Sequence, residues 1–330
     1  MEAEIELLEG KIFDLKIENE KLRSHVDYFL KSRKSVQREI SNLKRVNKSL
    51  TEQVLNLQSE KRKSDFVDLI KSTEKIHNAE NEIKYLFFEK KDSDKLIVTF
   101  PGFTDVGSFK YRYVRTLKDV NAHRLFLLDN FGTRGCYLLG QNRNFSVEKS
   151  VMSLIDTIIK KYDIDIEDVI LQGSSKGGWM ALYYGIKYRF GHVIAGAPQT
   201  KLGDFLLKHE VQIPSDGKIH PGSKMSVAEY ISGGHEEEDV EYLDNLLYDL
   251  LDDSSPINFP KIYIHIGKED FHYNKHVIPF LNELDKNNIT YQLDIEEYKE
   301  HNDLAIFYPK YLLKTLNNIE NTFYEDNADD

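Results

Sequence analysis

The chain has 330 residues, a formal net charge of −11 and a single cysteine, Cys136. These figures exclude an internal disulfide, a cysteine-built metal site and general nucleic-acid binding, which needs a basic surface. The length suits two unequal parts, with apolar content enough for a large core. No apolar run reaches membrane-spanning length, and the acidic start MEAEIELLEG lacks the basic-then-apolar pattern of a secretory signal. A cytoplasmic location is therefore expected.

Residues 1–64 carry 14 Lys/Arg against 11 Asp/Glu, whereas the remainder is strongly acidic, which marks a boundary near residue 64. From Ile5 a heptad register runs without a break. Its d positions are Leu8, Leu15, Leu22, Phe29, Val36, Leu43, Leu50 and Leu57. Its a positions are Ile5, Ile12, Asn19, Val26, Arg33, Ile40, Asn47 and Val54. A straight surface helix would drift out of a 3.5-residue repeat within a few turns, so sustained register calls for a supercoil. Leu at d, β-branched residues at a, and Asn19 and Asn47 at a predict a parallel homodimer, with a rod on the order of 80 Å long. Residues 65–82 are read as a linker helix. The second half of the rod is basic, through residues such as Arg33, Lys34, Arg38, Lys44 and Arg45. That face is either a solvated exterior or a peripheral contact with anionic membrane lipids.

From residue 83 to 330 the pattern alternates. Candidate strands are Ile83–Phe88, Leu96–Phe100, Leu125–Asp129, Val169–Gln172, Val193–Ala195, Ile262–Ile266 and Tyr291–Ile295. Helical patterns lie at Val147–Lys160, Gly177–Tyr188, Val240–Leu251, Val277–Lys286 and Leu304–Tyr324. The alternation predicts an α/β fold, with a mainly parallel sheet covered by helices on both faces. Residues 202–260 break the rhythm and read as an inserted lid beside the substrate.

The central chemical signal is VILQGSSKGGWMALYYG. An apolar strand runs into Gly173-Ser174-Ser175-Lys176-Gly177 and then into a helix, the strand–turn–helix setting that G-x-S-x-G requires. The spacing puts Ser175 at the apex, with Ser174 one residue early. A serine nucleophile needs a base, and the base an orienting acid, in the chain order Ser, acid, His. Asp270 follows the strand Ile262–Ile266 and is the candidate acid, with Glu269 its rival. His301 follows the strand Tyr291–Ile295 and is the candidate base among eleven histidines, with His272 next. All three residues fall at C-terminal strand ends, so topology alone brings them to one edge.

The oxyanion hole is expected from the backbone N–H groups of Lys176 and Phe103, the latter in the loop LIVTFPGFTD, which otherwise is a plain Pro-Gly turn. Gly102 would let substrate approach the backbone. Arg134 is a candidate for binding an anionic substrate group or, alternatively, for a structural pair with an aspartate. The Lys176 side chain could attract an anionic acyl donor or point to solvent. Trp179, Tyr183 and Tyr184 read as core. No phosphate loop, dinucleotide fingerprint or metal-ligand spacing is seen, so no bound cofactor or metal is expected.

On GSSKGG, FPGF, GKEDFH and EHND, residues 83–324 resemble the α/β-hydrolase superfamily. SSKGGWMALYYG and DNFGTRGCYLLG resemble more narrowly bacterial capsule biosynthesis and capsule O-acetyltransferase proteins and accessory-secretion acetyltransferase-like proteins. The resemblance implies acyl transfer to or from a sugar hydroxyl through an acyl-serine, with acetyl-coenzyme A as donor and a surface glycan or its precursor as acceptor. An esterase using the same residues, and a non-catalytic scaffold of a polysaccharide assembly complex, are the competing expectations.

Overall fold

The computed structural model describes residues 2–208, 220, 222–252 and 259–326. Two compact units divide the chain, Met1–Ser72 and Thr73–Asp330. The first is helix α1, Glu2–Thr73. Every residue of the d row from Leu8 to Leu57 is at least half exposed in a single copy, between 52% and 68%. The row forms a continuous apolar stripe along α1 that the chain itself leaves uncovered. The expected linker helix over 65–82 holds only as far as Thr73, because Lys75–Asn78 forms strand β1. β1 pairs antiparallel with β2 (Glu82–Phe88), in a register that sets Lys75 opposite Tyr85. That pairing is a gain which local propensity does not contain.

The second unit is built on one eight-stranded sheet in the order β1-β2-β4-β3-β5-β6-β7-β8. Strands β3 (Leu96–Thr99), β4 (His123–Leu127), β5 (Val169–Ser174), β6 (His192–Gly196), β7 (Lys261–Gly267) and β8 (Tyr291–Glu296) run parallel. β2 is antiparallel to β4. β3 and β6 are buried at every residue, which a parallel strand requires when both faces are covered. The helices are α2 (Ser146–Tyr162), α3 (Lys176–Lys187), α4 (Lys224–Ser232), α5 (Glu237–Tyr248), α6 (Ile278–Lys286) and α7 (Leu304–Asp326). α3 is buried from Lys176 to Ile186, so it is the central helix of the unit. The seven strands and five helices read from the sequence all recur, within about three residues at each end.

The break at 202–260 is helical where it is described. A π-helical turn at Asp204–Lys208 precedes α4 and α5, and the Asp204 N–H donates to the Asp244 carboxylate at 3.0 Å. Residues 209–219, 221 and 253–258 of the expected lid, His209 among them, lie outside the described residues. Because β3 to β8 are parallel, the loops after β3, β4, β5, β6, β7 and β8 all open on one edge, where α/β sheets place their ligands.

Candidate active site

The turn after β5 has the geometry its glycines dictate. Ser175 has φ 55° and ψ −118°, a backbone conformation that costs a side-chain-bearing residue about 1–3 kcal/mol and persists only where its surroundings hold it. The Ser175 N–H donates to the Gly196 carbonyl at 2.7 Å, stitching the turn to β6. A Cβ on Gly173 would stand 2.5 Å from the backbone of Gly177, and one on Gly177 would stand 2.8 Å from the Phe100 carbonyl. Both positions therefore exclude any larger residue, and strand, turn and helix can close tightly.

Three sequence-distant residues meet at this turn. His301 Nε2 lies 3.0 Å from Ser175 Oγ, and His301 Nδ1 lies 2.9 Å from Asp270 Oδ2. Asp270 is buried, and its other oxygen accepts the His272 backbone N–H at 2.9 Å. With both oxygens engaged, the carboxylate fixes the tautomer of His301, whose Nδ1–H donates to Asp270 and whose Nε2 faces the serine. Such an arrangement can withdraw the serine proton while an oxygen nucleophile forms. Glu269, the rival acid, instead pairs with Lys299 at 2.9 Å. Ser174 does not face His301; its hydroxyl is hydrogen-bonded to Tyr113.

His272, the rival base, is fully buried beside the other two. Its Nδ1 donates to the Ala197 carbonyl at 3.1 Å, and its ring meets the ring of His301 edge to face at 4.2 Å. Burial, helped by the neighbouring His301 and His276, holds its pKa far below the usual range, so it stays neutral. Asp270, His272 and His301 each bring one ligand atom to within 4.8 Å of the others, a metal-competent grouping that sequence spacing could not show. His301 and Asp270 are, however, already committed to each other and to Ser175.

The Lys176 side chain takes neither expected role. It is buried, with Nζ 2.7 Å from Asp129 Oδ2 and donating to the Arg134 carbonyl at 2.9 Å, over the rings of Tyr137 and Phe103. Asp129 Oδ1 accepts the Cys136 N–H at 2.9 Å. An ammonium out of water must find a carboxylate, and the loop after β4 supplies one. Arg134 forms no aspartate pair among the described residues. It donates to the carbonyls of Thr104 (2.8 Å) and Gly222 (3.1 Å) and lies 4.2 Å above the Phe103 ring. It therefore ties the loop after β3 to the inserted segment. Phe205 of that segment packs on Phe103 and His272, at ring distances of 6.2 and 5.6 Å. Among the described residues, neither the Phe103 N–H nor the Lys176 N–H is given to another protein group. A Cβ on Gly102 would meet only Arg112, at 3.6 Å, so the protein's own packing does not demand glycine there.

The family described as Accessory Sec system GspB-transporter matches residues 29–319. The chain belongs to that family. The match begins inside α1, so it takes in much of the heptad helix, which the sequence resemblance had left outside. An accessory Sec system protein of Staphylococcus aureus is a family relative, 27% identical over 128 residues; the match covers 39% of this chain and 24% of that protein. The chain thus spans about a quarter of the length of that relative. Among solved structures, the capsule O-acetyltransferase of Neisseria meningitidis serogroup A is similar with a TM-score of 0.58 and 23% identity, over 71% of this chain and 91% of that one. One structure of that enzyme holds CoA. The fluorophosphonate-binding serine hydrolase FphF of S. aureus is similar with a TM-score of 0.54 and 12% identity, over 74% of this chain and 96% of that one. These likenesses establish the α/β-hydrolase fold.

Two residues at the site escaped the sequence reading. Gln199, in the loop after β6, donates through Nε2 to Ser175 Oγ at 2.9 Å, and its Oε1 accepts the Tyr137 hydroxyl at 2.6 Å. The one available signal was position, since Ala197-Pro198-Gln199 follows a strand that ends on the same edge of the sheet as Ser175.

Proposed function

We propose that the chain is a serine acyltransferase that moves an acetyl group from acetyl-coenzyme A, through an acyl-Ser175, to a hydroxyl of a bacterial capsule or surface polysaccharide or its precursor. The observation that carries the reading is the line Ser175–His301–Asp270 at 3.0 and 2.9 Å, with Ser175 held at positive φ. His301 Nε2 takes the serine proton as Oγ bonds to the thioester carbonyl. The N–H groups of Lys176 and Phe103 receive the charge on the carbonyl oxygen. The C–S bond breaks, and His301 returns the proton to the leaving thiolate. In the second half the acceptor hydroxyl gives its proton to His301 and attacks the acyl-serine, and Ser175 leaves with that proton. The CoA-bound capsule O-acetyltransferase, which shares the fold, supports this choice of donor. The exposed heptad row supports a parallel homodimer through α1, with its basic second half free for a peripheral membrane contact in the cytoplasm.

A second reading is hydrolysis of an ester by the same residues. It is favoured by the 26% exposure of the His301 side chain, which lets water compete with a sugar hydroxyl. Incubation with labelled acetyl-coenzyme A, with and without glycan acceptors, followed by mass analysis of the Ser175 peptide, separates the readings. Acetyl-Ser175 that persists until a glycan is added supports transfer, and rapid loss to water supports hydrolysis. A serine that takes up neither acetyl nor fluorophosphonate refutes both.

A further inference from the structure

Gln199 and Tyr137 form a buried file of donors that ends on the nucleophile. Gln199 is 1% exposed and Tyr137 is fully buried, with Tyr137 packed edge to face on Trp179 at 5.5 Å. β6 delivers Gln199 to this place, since its end is stitched to both neighbours: the Gly196 carbonyl accepts from Ser175, and the Ala197 N–H donates to the His265 carbonyl at 2.7 Å.

We infer that Gln199 is a positioning residue that sets the direction of the serine proton, with Tyr137 as the group that orients it. The inference rests on the acyl-serine reading above. A tyrosine hydroxyl beside an amide oxygen donates to it, so Tyr137 engages Oε1 and turns the amide nitrogen toward Ser175. Gln199 Nε2 has hydrogens only, so Ser175 Oγ must accept there. A serine hydroxyl has one hydrogen, and with Oγ accepting from Gln199 that hydrogen goes to the other neighbour, His301 Nε2 at 3.0 Å. The file then runs one way: Tyr137 to Gln199, Gln199 to Ser175, Ser175 to His301, His301 to Asp270. No member can reverse without breaking two bonds, and the Gln199 and Tyr137 end of the file is buried away from water that could replace them. The same N–H also faces the negative charge that grows on Oγ as the proton leaves.

The chemistry explains why an amide serves and an acid would not. An ionised glutamate at 199 fills the same space, yet it accepts from both Tyr137 and Ser175. It draws the serine proton away from His301 and repels the developing charge. The test is the rate of serine labelling by a fluorophosphonate between pH 5 and 9, on the full chain, for wild type, Gln199→Met, Gln199→Glu and Tyr137→Phe. This probe needs neither the acyl donor nor the acceptor. Gln199→Met should label about ten-fold more slowly, with the acid limb unmoved, as expected for one lost hydrogen bond to a group gaining charge. Gln199→Glu should be slower still at pH 8, by about 100-fold, because there the carboxylate is ionised. Tyr137→Phe should fall between wild type and Gln199→Met. Gln199→Met and Gln199→Glu both labelling at the wild-type rate would show that Gln199 only fills space, and would overturn the inference. If Gln199→Glu does not fold, as read by Trp179 fluorescence, wild-type rates in Gln199→Met and Tyr137→Phe overturn it equally. An unlabelled wild type would instead remove the acyl-serine reading itself.

Discussion

Replacing Lys176 with methionine should destabilise the α/β unit far more than a surface substitution does. The side chains of Lys176 and Asp129 are 2% and 1% exposed and 2.7 Å apart. Methionine is an unbranched side chain one atom shorter than lysine but of similar volume, and it can still pack on the Phe103 and Tyr137 rings, so the change removes one charge and little volume. What remains is a carboxylate without solvent and with one oxygen unanswered. Breaking a buried pair in this way costs about 3–5 kcal/mol, which for a unit of this size lowers Tm by roughly 6–20 °C. Adding Asp129→Asn should recover most of that loss, because the amide oxygen still accepts the Cys136 N–H and no buried charge is left unpaired. The reporter is Trp179, the one tryptophan of the chain, which is buried on α3 and stacked 4.9 Å from Tyr183. Its fluorescence follows melting of this unit and not of α1. A shift below 2 °C in Lys176→Met, or a double variant less stable than the single one, would refute the account of the pair.

Ser175→Ala should abolish fluorophosphonate labelling and Ser174→Ala should leave it intact, because only the Ser175 hydroxyl faces His301; intact-mass spectra read both. His301→Ala and Asp270→Ala should each slow acyl-serine formation by several powers of ten, the Asp270 loss being the smaller, and the double variant should be hardly worse than His301→Ala; additive losses in a double-mutant cycle would break the line. If the exposed heptad row dimerises the chain as proposed, the full chain should be a dimer by light scattering and a chain lacking residues 1–72 a monomer. Burial lowers the His192 pKa from 6.5 to about 4, aided by Lys261 and Lys95. The unfolded chain therefore takes up this proton first as pH falls. The stability is present in full above pH 6.5 and is lost by pH 4, about 3 kcal/mol in all. His192→Gln should flatten the urea-measured stability profile over that window; an unchanged slope would contradict the assignment.

Much of the site was legible because its determinants are local or periodic. A short apolar run followed by a helical period exposes β5 and α3, and the turn between them admits only glycine at Gly173 and Gly177. Parallel strands present their C-terminal ends together, so placing Asp270 and His301 after β7 and β8 was enough to bring them to Ser175. The heptads of α1 are likewise written in the chain, since a seven-residue repeat is a matter of period along one helix. β1 was not legible, because its few residues gain order from partners outside the strand: the ladder to β2 and the hydrogen bond of His77 to Ser153.

The sequence by itself determined the strands from β2 to β8, the elbow and the order of the three residues along one edge of the sheet, since each follows from patterns spanning a few turns or strands. The tertiary structure alone decided which neighbour each polar group keeps. Lys176 was open to solvent or substrate until the loop after β4 brought Asp129 to within 2.7 Å of it. Arg134 went to backbone carbonyls instead of a carboxylate, and Gln199 became a partner of Ser175 across 24 residues of chain. The reason is physical. A buried polar atom is satisfied by whatever group the packing of other segments sets within about 3 Å of it, and that distance is not encoded in its own surroundings along the chain.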